Sequence, residues 1–250
     1  MRSLESQLTA APPVTRAFLE ELPGKSLLGP SVSSALVRYD VGAFSEAMAS
    51  ALDLPLPSVL RQTAVSRKSD YTAGRYCARV AMSRFSDEAG RPYAVPPGPA
   101  EAAPHWPRGL VGSISHARGR AVSLIASASQ FRSIGVDIDR VMEPEQARKI
   151  EAEICPTELH ALPRVPAIRA LHVTAIFSAK ESLFKCLYPL VNQMFWFDAA
   201  SVVISRDLSG NLLGFRATLT CDLPPFSKGW TVRGRLRCEE GYVLSAIALP

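Results

Sequence analysis

A helical period runs from Asp70 to Phe85, DYTAGRYCARVAMSRF, where apolar Ala73, Cys77, Val80 and Ala81, with Arg84 continuing the spacing, alternate with polar positions. The pattern predicts the first long helix there. A period of two replaces it over Val111–His116 and Ala121–Ala126, two runs separated by the turn-prone Ala117-Arg118-Gly119-Arg120, and this predicts a pair of strands. In Ser133–Arg140, SIGVDIDR, the same alternation puts Ile134, Val136 and Ile138 on one face of a strand and Gly135, Asp137 and Asp139 on the other. Glu145–Ala152 then reads as a helix, Pro156 opens a short one over PTELHAL, and Ile168–Tyr188 forms a long one stopped by Pro189. Strands follow at Ser201–Ser205, Leu213–Cys221, Trp230–Arg237 and Tyr242–Leu249. Nearer the start, Leu36–Tyr39 is a short strand and Ala43–Leu52 a short helix ended by Pro55. Residues 1–30, interrupted by Pro12, Pro13, Pro23 and Pro30, read as a loosely helical lead-in.

Each half therefore offers one long helix with several strands. The fold expected is α+β, with two similar lobes, 1–133 and 134–250, although no repeat is legible in the letters themselves. A proline-rich loop of 20 residues, Gly90–Gly109, is long enough to suggest function rather than mere connection.

Composition narrows the class. At 250 residues, 47% hydrophobic and 20% charged, the chain can bury one large core or two small ones, and whole-chain disorder, collagen and coiled coil are excluded. The longest uncharged runs, Ser26–Val37 and Cys186–Phe197, hold 12 residues each and contain proline. A membrane span needs about 18–20, so no membrane association is expected. A net charge of +5 suits an acidic partner or a phosphorylated ligand and is too small to imply nucleic acid. The cysteines, Cys77, Cys155, Cys186, Cys221 and Cys238, are odd in number and form no CxxC pair, so they read as free thiols, small buried hydrophobes in a reducing compartment. The start, MRSLESQLTAAPPV, carries Glu5 and no apolar h-region, so no secretory signal is expected and the cytoplasm is the default location.

Candidate chemistry is concentrated in a few segments. Glu181 and Lys185 in FSAKESLFK lie four apart on one helical face, and a surface ion pair is the plainest reading of them. Asp137 and Asp139 change it: if their strand face meets that helix, three hard oxygen donors converge, which is what Mg²⁺ takes. The alternative is an ordinary solvated strand face, against which Gly135 argues, since glycine in a strand marks a close approach. GSISH, Gly112–His116, puts Ser113 and Ser115 on one strand face and ends in a histidine. There is no G-x-S-x-G elbow, so the serine and imidazole suit phosphate oxygens better than nucleophilic attack, with a structural histidine as the other reading. Arg67, Lys68 and Arg75 gather at the start of the first long helix and Arg91 in the loop beyond. Cations opening a helix oppose its dipole, a cost that a bound anion would relieve; a solvated basic face is the simpler account.

SRKSDYTAGRYCAR, WPRGLVGSISH, IGVDID and FSAKESLFK, in this order and spacing, resemble the signatures of the 4′-phosphopantetheinyl transferases of the surfactin and enterobactin-synthetase type, over residues 65–190 with weaker likeness in FWFDAASV. The resemblance implies two α/β lobes in one chain related by pseudo-twofold symmetry, with coenzyme A in the cleft between them. The implied activity is Mg²⁺-dependent transfer of phosphopantetheine from coenzyme A to a serine of an apo acyl or peptidyl carrier protein, releasing adenosine 3′,5′-bisphosphate, with Mn²⁺ an alternative metal. By position, Asp137, Asp139 and Glu181 match the metal-binding carboxylates and Lys185 the lysine near the pyrophosphate. Ser115 and His116 match phosphate contacts, and Arg67, Lys68, Arg75 and Arg91 fall where the family places basic residues around the nucleotide. Glu181, Lys185 and His116 are the expected catalytic groups. One departure is visible: the family's GVDIE is GVDID here, so Asp139 reaches one methylene less far. Met194, Phe195 and Trp196 are candidates for a carrier-docking patch, with core packing the alternative. The resemblance also implies a monomer and leaves the carrier open among fatty-acid, polyketide, nonribosomal-peptide and siderophore assembly. A non-catalytic coenzyme A or nucleotide-binding module is the main competing reading, and a nucleic-acid binder using the helix over 67–84 is a third; the three carboxylates together with Lys185 speak against both.

Overall fold

The structure, a computed structural model, describes residues 17–24, 26–86, 90, 93 and 104–250. The described chain forms two compact units: Pro30–Ser127 with the described part of Met1–Ser26, and Ala128–Pro250 with Leu27–Gly29. Each is an antiparallel sheet with a long helix against it, so the expected α+β lobes are present. Much of the proline-rich segment 90–109 lies outside the described residues.

The first unit contains β1 (Leu19–Leu22), β2 (Ser33–Tyr39), α1 (Glu46–Ala51), α2 (Val65–Met82), β3 (Leu110–Ala117) and β4 (Arg120–Ser127), with strand order β1-β2-β4-β3. The described end of the lead-in is thus an edge strand, Leu19–Leu22, and not helix: Leu19 is buried and the strand pairs along Leu36–Tyr39. The short helix expected over Ala43–Leu52 is a single 3₁₀ turn, Val41–Ala43, followed by α1. Helix α2 begins five residues before the apolar period and ends at Met82, because Val65–Ser69 are polar or exposed helix formers that carry no periodic signal. Its small residues Ala73, Cys77 and Ala81 face a core with Val37, Tyr39, Met48, Leu110, Ala121 and Ile125. The hairpin turn between β3 and β4 has two residues rather than four. Arg118 and Gly119 both take positive φ, 43° and 83°, the pairing that matches the twist of the flanking strands.

The second unit contains β5 (Ser133–Arg140), α3 (Pro144–Ile154), α4 (Pro166–Val191), β6 (Ala200–Arg206), β7 (Leu212–Leu219), β8 (Thr231–Glu239) and β9 (Tyr242–Leu249), with strand order β5-β9-β8-β7-β6. PTELHAL contributes only a 3₁₀ turn at Leu159–Ala161. Helix α4 runs through Pro189 to Val191. Proline in the last turn forfeits one hydrogen bond without ending the helix, which stops where Asn192 turns left-handed and donates its N–H to Tyr188 O at 2.8 Å. Arg169 of α4 clamps Glu151 of α3 with two bonds, Nε to Oε2 at 2.6 Å and Nη2 to Oε1 at 2.8 Å.

Helix α4 lies on β5 and β9 through its small residues. Ser133 Oγ donates to Cys186 O at 2.6 Å and Ser245 Oγ to Ser178 O at 2.7 Å, so hydroxyls of the sheet reach helix carbonyls directly. Gly135 sits under this contact: a Cβ there would lie 2.0 Å from Ser182 O and 2.8 Å from Cys186 Cβ. A second fixture is Lys180, whose buried ammonium donates to Ile154 O (2.9 Å), Phe197 O (2.8 Å) and Glu158 Oε2 (3.2 Å), while Glu158 Oε1 accepts from Val202 N–H at 2.6 Å. One ion pair thereby ties α4 to the end of α3 and to β6.

All five cysteines are free. Cys77, Cys155 and Cys186 are the small buried hydrophobes expected, and burial pushes the thiols of Cys155 and Cys186 up to about 12. Cys221 and Cys238 depart from that expectation by being exposed. Among the described residues no helix is long and apolar enough to cross a membrane.

Two substitutions test this packing. Gly135→Ala must lift α4 off β5 and is expected to destabilise by about 3 kcal/mol or more, measured by urea unfolding. Lys180→Met strands the Glu158 carboxylate in the core and is expected to cost about 3–5 kcal/mol in the same assay. A loss under 1 kcal/mol in either case, within the range of an ordinary surface change, would contradict the account given of that residue.

Candidate functional site

In the second unit, the bare backbone at Gly135 lets α4 approach β5 closely, and the next two residues on that strand face are Asp137 and Asp139. Asp137 is only 4% exposed. Its Oδ1 receives Lys185 Nζ at 2.6 Å, so Lys185 bridges helix and strand. Glu181, one turn before Lys185, is partly buried. Desolvation raises its pKa above the usual carboxylate range; Lys185 opposes the shift, and Asp137 and Asp139 add to it. The four predicted groups therefore share one electrostatic neighbourhood.

The donor set in that neighbourhood is three carboxylates, hard oxygen ligands of the kind a small divalent cation prefers. A cation would relieve the mutual repulsion that now disfavours the ionised form of Glu181. The residues fit such an ion by their chemistry, although among the described residues no three His, Cys, Asp or Glu side chains are arranged as a closed metal cluster.

Beside Glu181 opens an apolar cavity of about 130 Å³, lined by Leu183, Phe184, Phe195 and Phe197. Its rim divides the candidate docking patch. Met194 and Trp196 are 57% and 72% exposed, whereas Phe195 meets Phe184 at a tilt, ring centres 5.1 Å apart, and packs on the core.

In the first unit, α2 lies against β2, β3 and β4, and a pocket of about 140 Å³ is lined by Asp70, Tyr71, Gly74 and Arg75 of α2 with Pro104, Ile114 and His116. Arg75 is 5% exposed, its guanidinium 4.9 Å over the Tyr71 ring. Its Nε is buried and has no hydrogen-bond partner among the described residues. A buried guanidinium donor left unsatisfied is costly, so this pocket suits an anion. His116 Nδ1 stands 3.7 Å from Asp70 Oδ2, and Asp70 Oδ1 accepts from the Tyr39 hydroxyl at 2.5 Å.

The other basic and polar candidates are dispersed. Lys68 pairs with Glu46 of α1 at 2.6 Å, Arg67 is exposed on the first turn of α2, and Arg91 lies outside the described residues. Ser115 is buried and, by strand alternation, points to the face of β3 opposite His116. Asp70, Tyr39 and Lys180 were not singled out from the sequence. The Tyr71/Arg75 and Asp70/Gly74 spacings of four are visible in the letters and mark one stripe of α2, but nothing local joins that stripe to Tyr39 or His116.

Residues 56–126 match the model of the 4'-phosphopantetheinyl transferase N-terminal domain and residues 133–243 that of the 4'-phosphopantetheinyl transferase superfamily. The chain is 32% identical over 212 residues to the 4'-phosphopantetheinyl transferase PptT of Mycobacterium tuberculosis, covering 78% of this chain and 86% of that protein. It is 29% identical over 199 residues to Npt of Nocardia iowensis, with 76% and 86% covered, and 32% identical over 187 residues to enterobactin synthase component D of Salmonella austin, with 74% and 75% covered. With both units matched and relatives spanned over most of their length, the chain belongs to the 4'-phosphopantetheinyl transferase superfamily and is an enzyme of that kind.

Proposed function

We propose that this enzyme transfers the 4′-phosphopantetheine group of coenzyme A to a serine of an apo acyl or peptidyl carrier protein, using Mg²⁺ and releasing adenosine 3′,5′-bisphosphate. The observation that supports coenzyme A most directly is the pocket of the first unit, where buried Arg75, whose Nε has no hydrogen-bond partner among the described residues, stands with His116. In this reading lobe 1–133 supplies the nucleotide and phosphate contacts, Arg67, Lys68, Arg75, Arg91, Ser115 and His116. Lobe 134–250 supplies the carboxylates and the catalytic helix. Asp137, Asp139 and Glu181 would hold the metal, with Mn²⁺ the alternative ion. When bound, the ion supplies charge neutralisation and Lewis acidity at the pyrophosphate.

The residues of the chain do the rest. The carrier serine Oγ forms a bond to the β-phosphorus, the bond from that phosphorus to the bridging oxygen breaks, and adenosine 3′,5′-bisphosphate departs with the electron pair. Glu181 accepts the serine proton. Lys185, held by Asp137, and His116 stabilise charge on the phosphates and the leaving group. Exposed Met194 and Trp196 beside the apolar cavity offer the carrier a hydrophobic foothold, and the net positive charge of the chain favours encounter with an acidic carrier surface. The enzyme acts as a cytoplasmic monomer.

Intact mass spectrometry of an apo carrier incubated with the enzyme, coenzyme A and Mg²⁺ is expected to show a gain of about 340 Da, the phosphopantetheine increment of this transfer, that disappears with chelator. Coenzyme A binding without any gain across acyl, peptidyl and aryl carriers would instead indicate a non-catalytic binding module. Glu181→Gln is expected to lower turnover at least about 100-fold with the melting profile unchanged; near wild-type turnover would exclude Glu181 as the base. Asp139→Glu is expected to lower the Mg²⁺ concentration for half-maximal rate, because the longer side chain restores direct reach; an unchanged value would refute that effect of the shorter residue.

A further inference from the structure

A carboxylate in an anion pocket is an electrostatic liability, since it repels the ligand that the neighbouring cations attract. Asp70 lines the pocket with Arg75 and His116. Its environment is specific on both oxygens. Oδ1 accepts from the Tyr39 hydroxyl at 2.5 Å, and Oδ2 faces His116 Nδ1 at 3.7 Å. Tyr39 is itself fixed: it is buried, closes the end of β2, and meets Phe18 edge to face with ring centres 6.2 Å apart. Three elements, β2, α2 and β3, thus each contribute one member of a line running Tyr39, Asp70, His116.

We infer that Asp70 is a positioning residue for His116: pinned by Tyr39, it keeps a proton on Nδ1 and turns the opposite ring nitrogen toward the pocket as a donor to a phosphate oxygen. The inference rests on the reading of His116 as a phosphate contact. It accounts for an acidic residue standing where it should weaken anion binding. The carboxylate acts through the imidazole: at 3.7 Å it is within ion-pair range and not hydrogen-bond range, so it favours the proton on Nδ1 electrostatically, and with protons on both nitrogens the ring is a cationic donor.

The test is a double-mutant cycle on the full chain, with coenzyme A affinity measured by calorimetry for wild type, Asp70→Asn, His116→Ala and the double variant. Asp70→Asn is expected to weaken binding about 10-fold, the scale seen when a partner that orients a histidine is lost, and to have no further effect once His116 is alanine. Equal losses in both backgrounds, or tighter binding by Asp70→Asn, would overturn the inference, the latter because Asp70 would then be only a repulsive neighbour. Tyr39→Phe keeps the carboxylate and frees it, so a smaller loss of about 3-fold, also erased in His116→Ala, is expected; it carries the test if Asp70→Asn does not fold. The ¹⁵N signals of the His116 ring, recorded without ligand, separate the two ways of failing. A changed ring protonation pattern in Asp70→Asn supports positioning even if His116→Ala binds coenzyme A normally, in which case it is the phosphate contact that fails. An unchanged pattern overturns the positioning role itself.

Discussion

A Cβ at position 135 would fall 2.0 Å from Ser182 O, so the helix carrying Glu181 and Lys185 rests on bare backbone of the strand carrying Asp137 and Asp139. Nothing else in the second unit controls the site so directly. With any side chain at 135 the helix would stand farther off, and the 2.6 Å bond from Lys185 to Asp137 would be lost with the approach that makes it. The small residues of α4, Ser178, Ala179, Ser182 and Cys186, and the serine bonds from β5 and β9 serve the same end. Packing density here is a precondition for chemistry, because charges on two elements act on one another only at short range through a poorly solvated gap.

Two lysines five residues apart on α4 show how burial sorts residues of one type. Lys180 is enclosed by two carbonyls and the Glu158 carboxylate, and burial lowers its pKa against that partner's pull. All three of its donors are spent on the fold. Lys185, one helical face away, is partly exposed and holds Asp137 beside Glu181. Lysine identity alone does not distinguish these roles; the number and placement of acceptors does.

The strand SIGVDIDR was legible to the residue because alternation, an internal glycine and flanking turn residues all agree there, and the structure forms β5 over the same span. Helix starts were less legible. Val65 opens α2 after an Ala64 whose side chain offers no cap, and the exposed first turn lacks an apolar period, so nothing in the letters marked it. Pro189 misled because a proline rule written for helix interiors was applied to a last turn. In the site, the carboxylates, Glu181 and Lys185 were readable because each stands at a helical or strand spacing within its own segment. Tyr39, Asp70 and His116 lie on three segments 31 and 46 residues apart, and only the packing of α2 on the sheet joins them.

The two units use the same device with opposite sign. In each, a long helix lies on the strands and a stripe of that helix meets candidate groups of one strand, His116 at the end of β3 and Asp137 with Asp139 on β5. The first unit gathers the nitrogen donors Arg75 and His116 and sets the Asp70 carboxylate beside the histidine. The second gathers three carboxylates and sets the Lys185 ammonium among them, bonded to Asp137. A net charge of +5 says nothing of this segregation. What matters is where the charges stand: Arg75 and His116 line one pocket with Asp70, and Asp137, Asp139 and Lys185 all act on Glu181. In the proposed reading a phosphate in one unit and a divalent cation in the other would act on these same charges, so the stability of each cluster and its capacity to bind are set by the same balance.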